Sequence, residues 1–191
     1  MLLENEVCTV KISLDDTYTV GSADNRHYDM VINPSDLSSS DLSKTFSISI
    51  DLHHHNYMIA LVGSYLSCEY DCAILEGSNL LVLQDDNLVV IDVLSGALIK
   101  SIHMDCFGSN FSIYRIPKGY IIYGEIEIIM LNDAFEKQWT FSGRDIFVTQ
   151  SNKNPFAICD NTIELFDWED NYYKIDFDGN LIEDPAKCSM S

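Results

Sequence analysis

The chain has 191 residues, 47% of them apolar and 11% aromatic, and its 30 acidic side chains outweigh 11 basic ones for a net charge of −19. A composition this apolar excludes a disordered chain, and the length suits one hydrophobic core or two very small ones. The sign of the charge argues against nucleic acid or an anionic membrane as partner, because both depend on Lys and Arg to neutralise phosphate.

The first residues, Met1-Leu-Leu-Glu-Asn-Glu, carry no basic region, apolar run or small-residue cleavage site, so no secretory signal is expected and a cytoplasmic location is predicted. Apolar runs such as Leu88–Ile91 and Tyr120–Tyr123 are too short to cross a bilayer. Six cysteines stand at positions 8, 68, 72, 106, 159 and 188. With no export signal, and with most of them in strand-like apolar surroundings, they read as reduced thiols that pack as small hydrophobes.

In chain order, residues 1–70 read as a β segment with a polar loop. Val7–Leu14 alternates as a strand, and the stretch Asn33–Lys44 is rich in cap and loop residues, with room for one helical turn near Pro34–Leu37. Thr45–Leu52 places Phe46, Ile48 and Ile50 on one face against Ser47, Ser49 and Asp51, the pattern of a half-buried strand. Tyr57–Gly63 follows as its partner.

From residue 71 to 191 short apolar runs recur with short turns between them. They begin at Cys72–Leu75, Leu80–Leu83, Leu88–Val93 and Ala97–Ile102, and continue through Phe111–Ile116, Tyr120–Tyr123, Ile126–Leu131 and Lys137–Phe141. The last are Ile146–Thr149, Phe156–Cys159, Thr162–Phe166 and Tyr172–Phe177. Links this short join antiparallel strands, and no stretch has a 3.6-residue period. Within the series a plan repeats: an apolar strand, then Asp92, Asn132 or Asp167 opening a turn, then a second strand. These anchors are 40 and 35 residues apart, the length of one four-stranded propeller blade. Runs such as Leu80–Leu83 are apolar at every position, which predicts sheets covered on both faces. The expected fold is therefore all-β: an antiparallel meander of four-stranded blades in a partial or small β-propeller. It has few or no helices, three blade-like repeats in 71–191, and residues 1–70 packed on them in a single compact domain.

Few residues invite chemistry. Of His53-His54-His55, only His53 and His55 could share a metal from one face of a strand, and a polar turn explains the triplet as well. Cys68 and Cys72 are separated by three residues, where zinc and redox motifs favour two. The acids around Asp167–Asp170 and Asp176–Gly179 lack the calcium-loop spacing and read as hairpin turns. No nucleophile elbow, phosphate loop or dinucleotide fingerprint is present. The reading is a protein without catalytic residues, cofactor or metal. A metal-dependent or carbohydrate-active enzyme is the weakest alternative.

One cluster fits recognition. Trp168 and Tyr172 stand beside Asp167, Glu169 and Asp170, an aromatic and acidic tip of the composition expected where a protein meets an Arg- or Lys-rich surface. A solvated turn whose aromatics fold back on the core is the competing explanation. These five are the candidate partner-binding residues. The acidity itself has two readings, solubility or faster encounter with a basic protein.

The segments Trp139–Val148, Asn161–Trp168 and Tyr173–Gly179 add a further expectation. Their pattern resembles small bacterial proteins encoded beside polymorphic toxins, in particular immunity proteins of contact-dependent growth inhibition systems. That resemblance implies a cytosolic protein that covers the active site of a cognate toxin, often a basic nuclease, and it implies no catalytic residues. The alternative is a non-catalytic scaffold or sensor module that holds a peptide or a subunit of a larger assembly.

Overall fold

The computed structural model describes residues 1–64, 71–104, 108–151 and 153–183. The chain divides into two compact units, Met1–Asp105 with Phe111–Ile113, and Cys106–Asn110 with Tyr114–Ser191. Every regular element among the described residues is a strand.

The first unit opens with a five-stranded sheet of β1 (Leu2–Glu4), β2 (Thr9–Leu14), β3 (Met30–Ile32), β4 (Lys44–Asp51) and β5 (Asn56–Gly63), in the order β1-β2-β4-β5-β3. Its pairs are antiparallel except β3, which lies parallel along β5. A four-stranded meander follows, β6 (Ala73–Glu76), β7 (Asn79–Gln84), β8 (Asn87–Asp92) and β9 (Leu98–His103). Two more four-stranded meanders complete the chain. One is β10 (Asn110–Ile116), β11 (Gly119–Gly124), β12 (Glu127–Leu131) and β13 (Lys137–Ser142). The other is β14 (Phe156–Cys159), β15 (Thr162–Phe166), β16 (Tyr172–Asp176) and β17 (Leu181–Glu183). The protein is all-β, and strands β6 to β17 form three antiparallel meanders of the propeller-blade type.

The uninterrupted apolar runs are the middle strands of these meanders. Leu80–Leu83 of β7, Leu88–Ile91 of β8, Ile121 and Ile122 of β11 and Ile128–Leu131 of β12 are all buried, so both faces of each strand are covered. The outer strands β9, β13 and β17 are largely exposed.

β4 departs from the expected half-wet pattern. Thr45 and Ser47 are as buried as Phe46, Ile48 and Ile50. The loop after β2 accounts for part of this, since Arg26 Nη1 donates to Ser47 Oγ at 3.2 Å and the Tyr28 hydroxyl to Asp15 Oδ2 at 2.6 Å. A buried serine hydroxyl with a partner is tolerated where an unpaired one is not.

Two sequence expectations are corrected. No helical turn forms at Pro34–Leu37. The Asn33 side chain accepts from the Leu37 N–H at 3.0 Å and donates to its carbonyl at 2.9 Å, and Asp36 takes a left-handed φ of 50°. This is an Asx-closed loop, which competes with a helix through the same side chain that would cap one. Nor is Ile146–Thr149 a strand. The segment is irregular and buries Phe147 completely.

The repeat is real, but its phase shifts in the last meander. In each meander the link from third to fourth strand opens on an Asx residue that directly follows a register shift: Asp92 after Val90/Ile91, Asn132 after Met130/Leu131 and Asp176 after Lys174/Ile175. The side chain of each accepts from backbone N–H groups beyond it: Leu94 and Ser95, Ala134 and Glu136, Asp178 and Asn180. The structural spacing is thus 40 and 44 residues. Asp167 belongs to the preceding link, β15 to β16.

Candidate functional site

The candidate residues Asp167, Trp168, Glu169, Asp170 and Tyr172 lie on the β15–β16 hairpin of the second unit. The structure gives them different roles. Asp167 is fully buried. One carboxylate oxygen accepts from the N–H groups of Glu169 at 3.0 Å and Asn171 at 2.9 Å. The other accepts from Asn171 Nδ2 at 3.0 Å and the Tyr173 hydroxyl at 2.8 Å. Burial alone would push the carboxyl up, but these four bonds stabilise the anion more and hold it below the usual range. Tyr173 is pushed up to about 12, by burial first and then by the Asp167 anion. Asp167 therefore shapes the turn and does not itself meet solvent.

Beyond this anchor the chain turns outward. Trp168 is 42% exposed, although its N–H is tied to the Ile146 carbonyl at 2.8 Å. The ring projects from a backbone held by this bond and by the turn that Asp167 closes, so its point of attachment is fixed. Glu169 is exposed, and no described residue pairs with its carboxylate. Asp170 completes the turn with a left-handed φ of 63°. Its carboxylate accepts from Ser151 Oγ at 3.0 Å and lies 3.4 Å from Lys153 Nζ.

Tyr172 is only half-buried and tilts against Phe166, with ring centroids 5.2 Å apart. Burial and then the charge of Glu164 raise its hydroxyl above the ordinary value. Lys153 Nζ stands 4.8 Å over the Phe166 ring, and Lys174 pairs with Glu164 at 3.2 Å. The five residues thus separate into a buried anchor, Asp167, an exposed pair, Trp168 and Glu169, and two flanking groups engaged with local partners, Asp170 and Tyr172. Phe166, Lys153 and Glu164 have no sequence signal that ties them to the tip, because they meet it only through strand pairing and the placement of Ser151 and Lys153.

Among the described residues the other sequence candidates stand apart from this tip. His53, His54 and His55 are exposed in the β4–β5 turn, where Asp51 accepts from the His53 N–H at 2.9 Å and His53 has a φ of 67°. Among the described residues no group of three or more His, Cys, Asp or Glu is placed to hold a metal ion. Cys8 is a buried free thiol pushed up by burial, Cys72 is buried, and Cys159 is an exposed free thiol. Cys68, Cys106 and Cys188 lie outside the described residues, and with them the Cys68–Cys72 pair. No described helix is long and apolar enough to cross a membrane.

No family model matches the chain, and no curated protein matches it. A solved structure described as "AfRom2 CNH domain" matches with a TM-score of 0.45 and 14% sequence identity, over 92% of this chain and 49% of that one. The chain thus spans about half the length of that structure.

Proposed function

We propose that this protein is a non-catalytic binding protein of the immunity type, which neutralises a cognate basic, nuclease-like toxin domain by covering its active site. The observation that carries the reading is the β15–β16 tip, where an exposed Trp168 stands beside Glu169, with whose carboxylate no described residue pairs, on a chain of net charge −19. An aromatic anchor next to carboxylate is the chemistry that meets Arg and Lys, and excess negative charge speeds encounter with a cationic partner. Reading that partner as a toxin rests on the resemblance of the C-terminal segments to immunity proteins.

The test begins with co-purification from the native host at low and high salt, followed by expression of any retained basic protein alone. Toxicity of that protein, relieved by co-expression of this chain, supports the reading. A stoichiometric but harmless subunit held at both salts favours the scaffold or sensor alternative. With the partner in hand, Glu169→Lys is expected to weaken binding about tenfold at low salt and less at high salt, the range of a charge-assisted contact that salt screens. Trp168→Ala is expected to weaken it ten- to a hundredfold, roughly 1.4–2.8 kcal/mol, independently of salt. Unchanged affinity in both variants would remove the tip from the interface.

A further inference from the structure

A second feature of the first unit has the chemistry of a recognition site. A recess of about 230 Å³ is lined by Asp29, Met30, His55, Tyr57, Leu94 and Ser95. It lies where β3, the start of β5 and the Asp92–Ala97 turn meet. Glycine at position 96 suits the left-handed φ of 72° in this turn, and a Cβ there would press on the flexible end of Met30 and lie 3.1 Å from the Tyr57 ring. The wall is rigid: the Tyr57 hydroxyl donates to the Val93 carbonyl at 2.5 Å, and the His55 ring stacks on Tyr57 with centroids 5.8 Å apart.

We propose that this recess is a docking site for an arginine side chain of a basic partner protein, with the guanidinium on the Asp29 carboxylate and over the His55 ring and the aliphatic stem against Met30 and Leu94. The proposal rests on the reading of the partner as basic, and charge complementarity selects that occupant. No Lys or Arg is among the described residues lining the recess, and its carboxylate is 45% exposed. Asp29 Oδ2 accepts from the Met58 N–H at 2.8 Å, which first of all holds the acid below its usual range and keeps it charged at neutral pH. Its other neighbour is His27, 3.4 Å away and 87% exposed, which is charged only when protonated. At two other exposed acids a cation is already in place. Lys153 faces Asp170 at the hairpin tip, and Lys118 pairs with Asp178 beside the Trp139 recess of the second unit.

The rim supplies apolar area. Leu94 is 61% exposed, and Met30 lines the floor beside it. A carboxylate and a ring inside an apolar rim suit a flat guanidinium, which pairs with the acid and stacks on the ring together, better than they suit a compact ammonium.

The proposal is tested on the full chain labelled at its methionine methyls, titrated with N-acetyl-arginine methylamide and, separately, with the corresponding glutamate compound. The expected result is a saturable shift of the Met30 methyl with the arginine probe and none with the glutamate probe. Asp29→Asn should weaken the arginine effect at least fivefold. Its amide oxygen still accepts the Met58 N–H, so the fold is retained, and an unchanged melting temperature verifies this. Leu94→Ser, on the exposed rim, should weaken the effect about twofold. A Met30 methyl that ignores arginine, or responds equally to glutamate or in the Asp29→Asn protein, overturns the proposal. The two readings fail separately. Arginine seating without any basic toxin partner sinks the toxin and leaves the recess, whereas a toxin that binds the Asp29→Asn protein with undiminished affinity sinks the recess and leaves the toxin.

Discussion

Replacing Asp167 with Ala is expected to destabilise the protein by about 3 kcal/mol, while Asp167→Asn should cost about 1 kcal/mol. The alanine removes every acceptor at once. The hydroxyl of buried Tyr173 then keeps only the Arg144 N–H, which donates to it at 2.9 Å, and the turn N–H groups of Glu169 and Asn171 lose their partner. Asparagine retains one oxygen for those two N–H groups, and the Tyr173 oxygen is able to accept from its amide. The same group governs part of the acid limb. A carboxyl held below its unfolded value, about 3.9 for Asp, contributes stability that is fully present above that value and is lost as pH falls through the folded one. Urea unfolding at neutral pH and between about pH 4 and 2 should therefore show the wild type losing more stability on acidification than Asp167→Asn. An alanine variant within about 0.5 kcal/mol of wild type would mean that the turn is held by other contacts.

This buried acid also marks the limit of what the sequence revealed. The all-β meander was legible because strand length, turn residues and unbroken apolar runs are local signals that burial enforces in only one way. The Leu80–Leu83 and Leu88–Ile91 runs could not be half wet, and they are not. Asp167 and Asp176 show where local signals end. Both start turns with a left-handed residue three positions on, Asp170 and Gly179, and both cap their own backbone. Only strand pairing reveals that Asp176 is the counterpart of Asp92 and Asn132. For the same reason Asp167 and Glu169 looked equivalent in sequence, although one is buried and the other exposed. The strands β1, β3 and β17 are three residues long, too short to display any period. The Asp29 recess was equally hidden, because Met30, His55 and Leu94 come from separated segments joined by a parallel pairing and a glycine turn.

Phe147→Ala is expected to have the largest effect, a loss of about 4 kcal/mol of stability. Phe147 is fully buried, stacks near Phe141 with centroids 6.1 Å apart and meets the Tyr173 ring edge-on at the same distance. Its segment has no ladder of its own to hold it. The Phe147 N–H donates to the Glu125 carbonyl at 2.6 Å, and its carbonyl accepts from the Tyr123 hydroxyl. The ring therefore fixes an irregular stretch onto the sheet, and its removal leaves a cavity between aromatic neighbours that cannot easily collapse. The neighbouring Ile146 carbonyl holds the Trp168 N–H, so the damage should reach the tip. Hydrogen exchange is expected to show the Trp168 and Phe147 amides losing protection together at denaturant levels where the β11–β12 amides remain protected. Phe147→Leu, which fills most of the volume, should recover roughly half of the loss. Should the Trp168 amide stay protected while Phe147→Ala unfolds more readily, the tip would owe its rigidity to Asp167 alone, and a partner could then bind it at full strength in a destabilised protein.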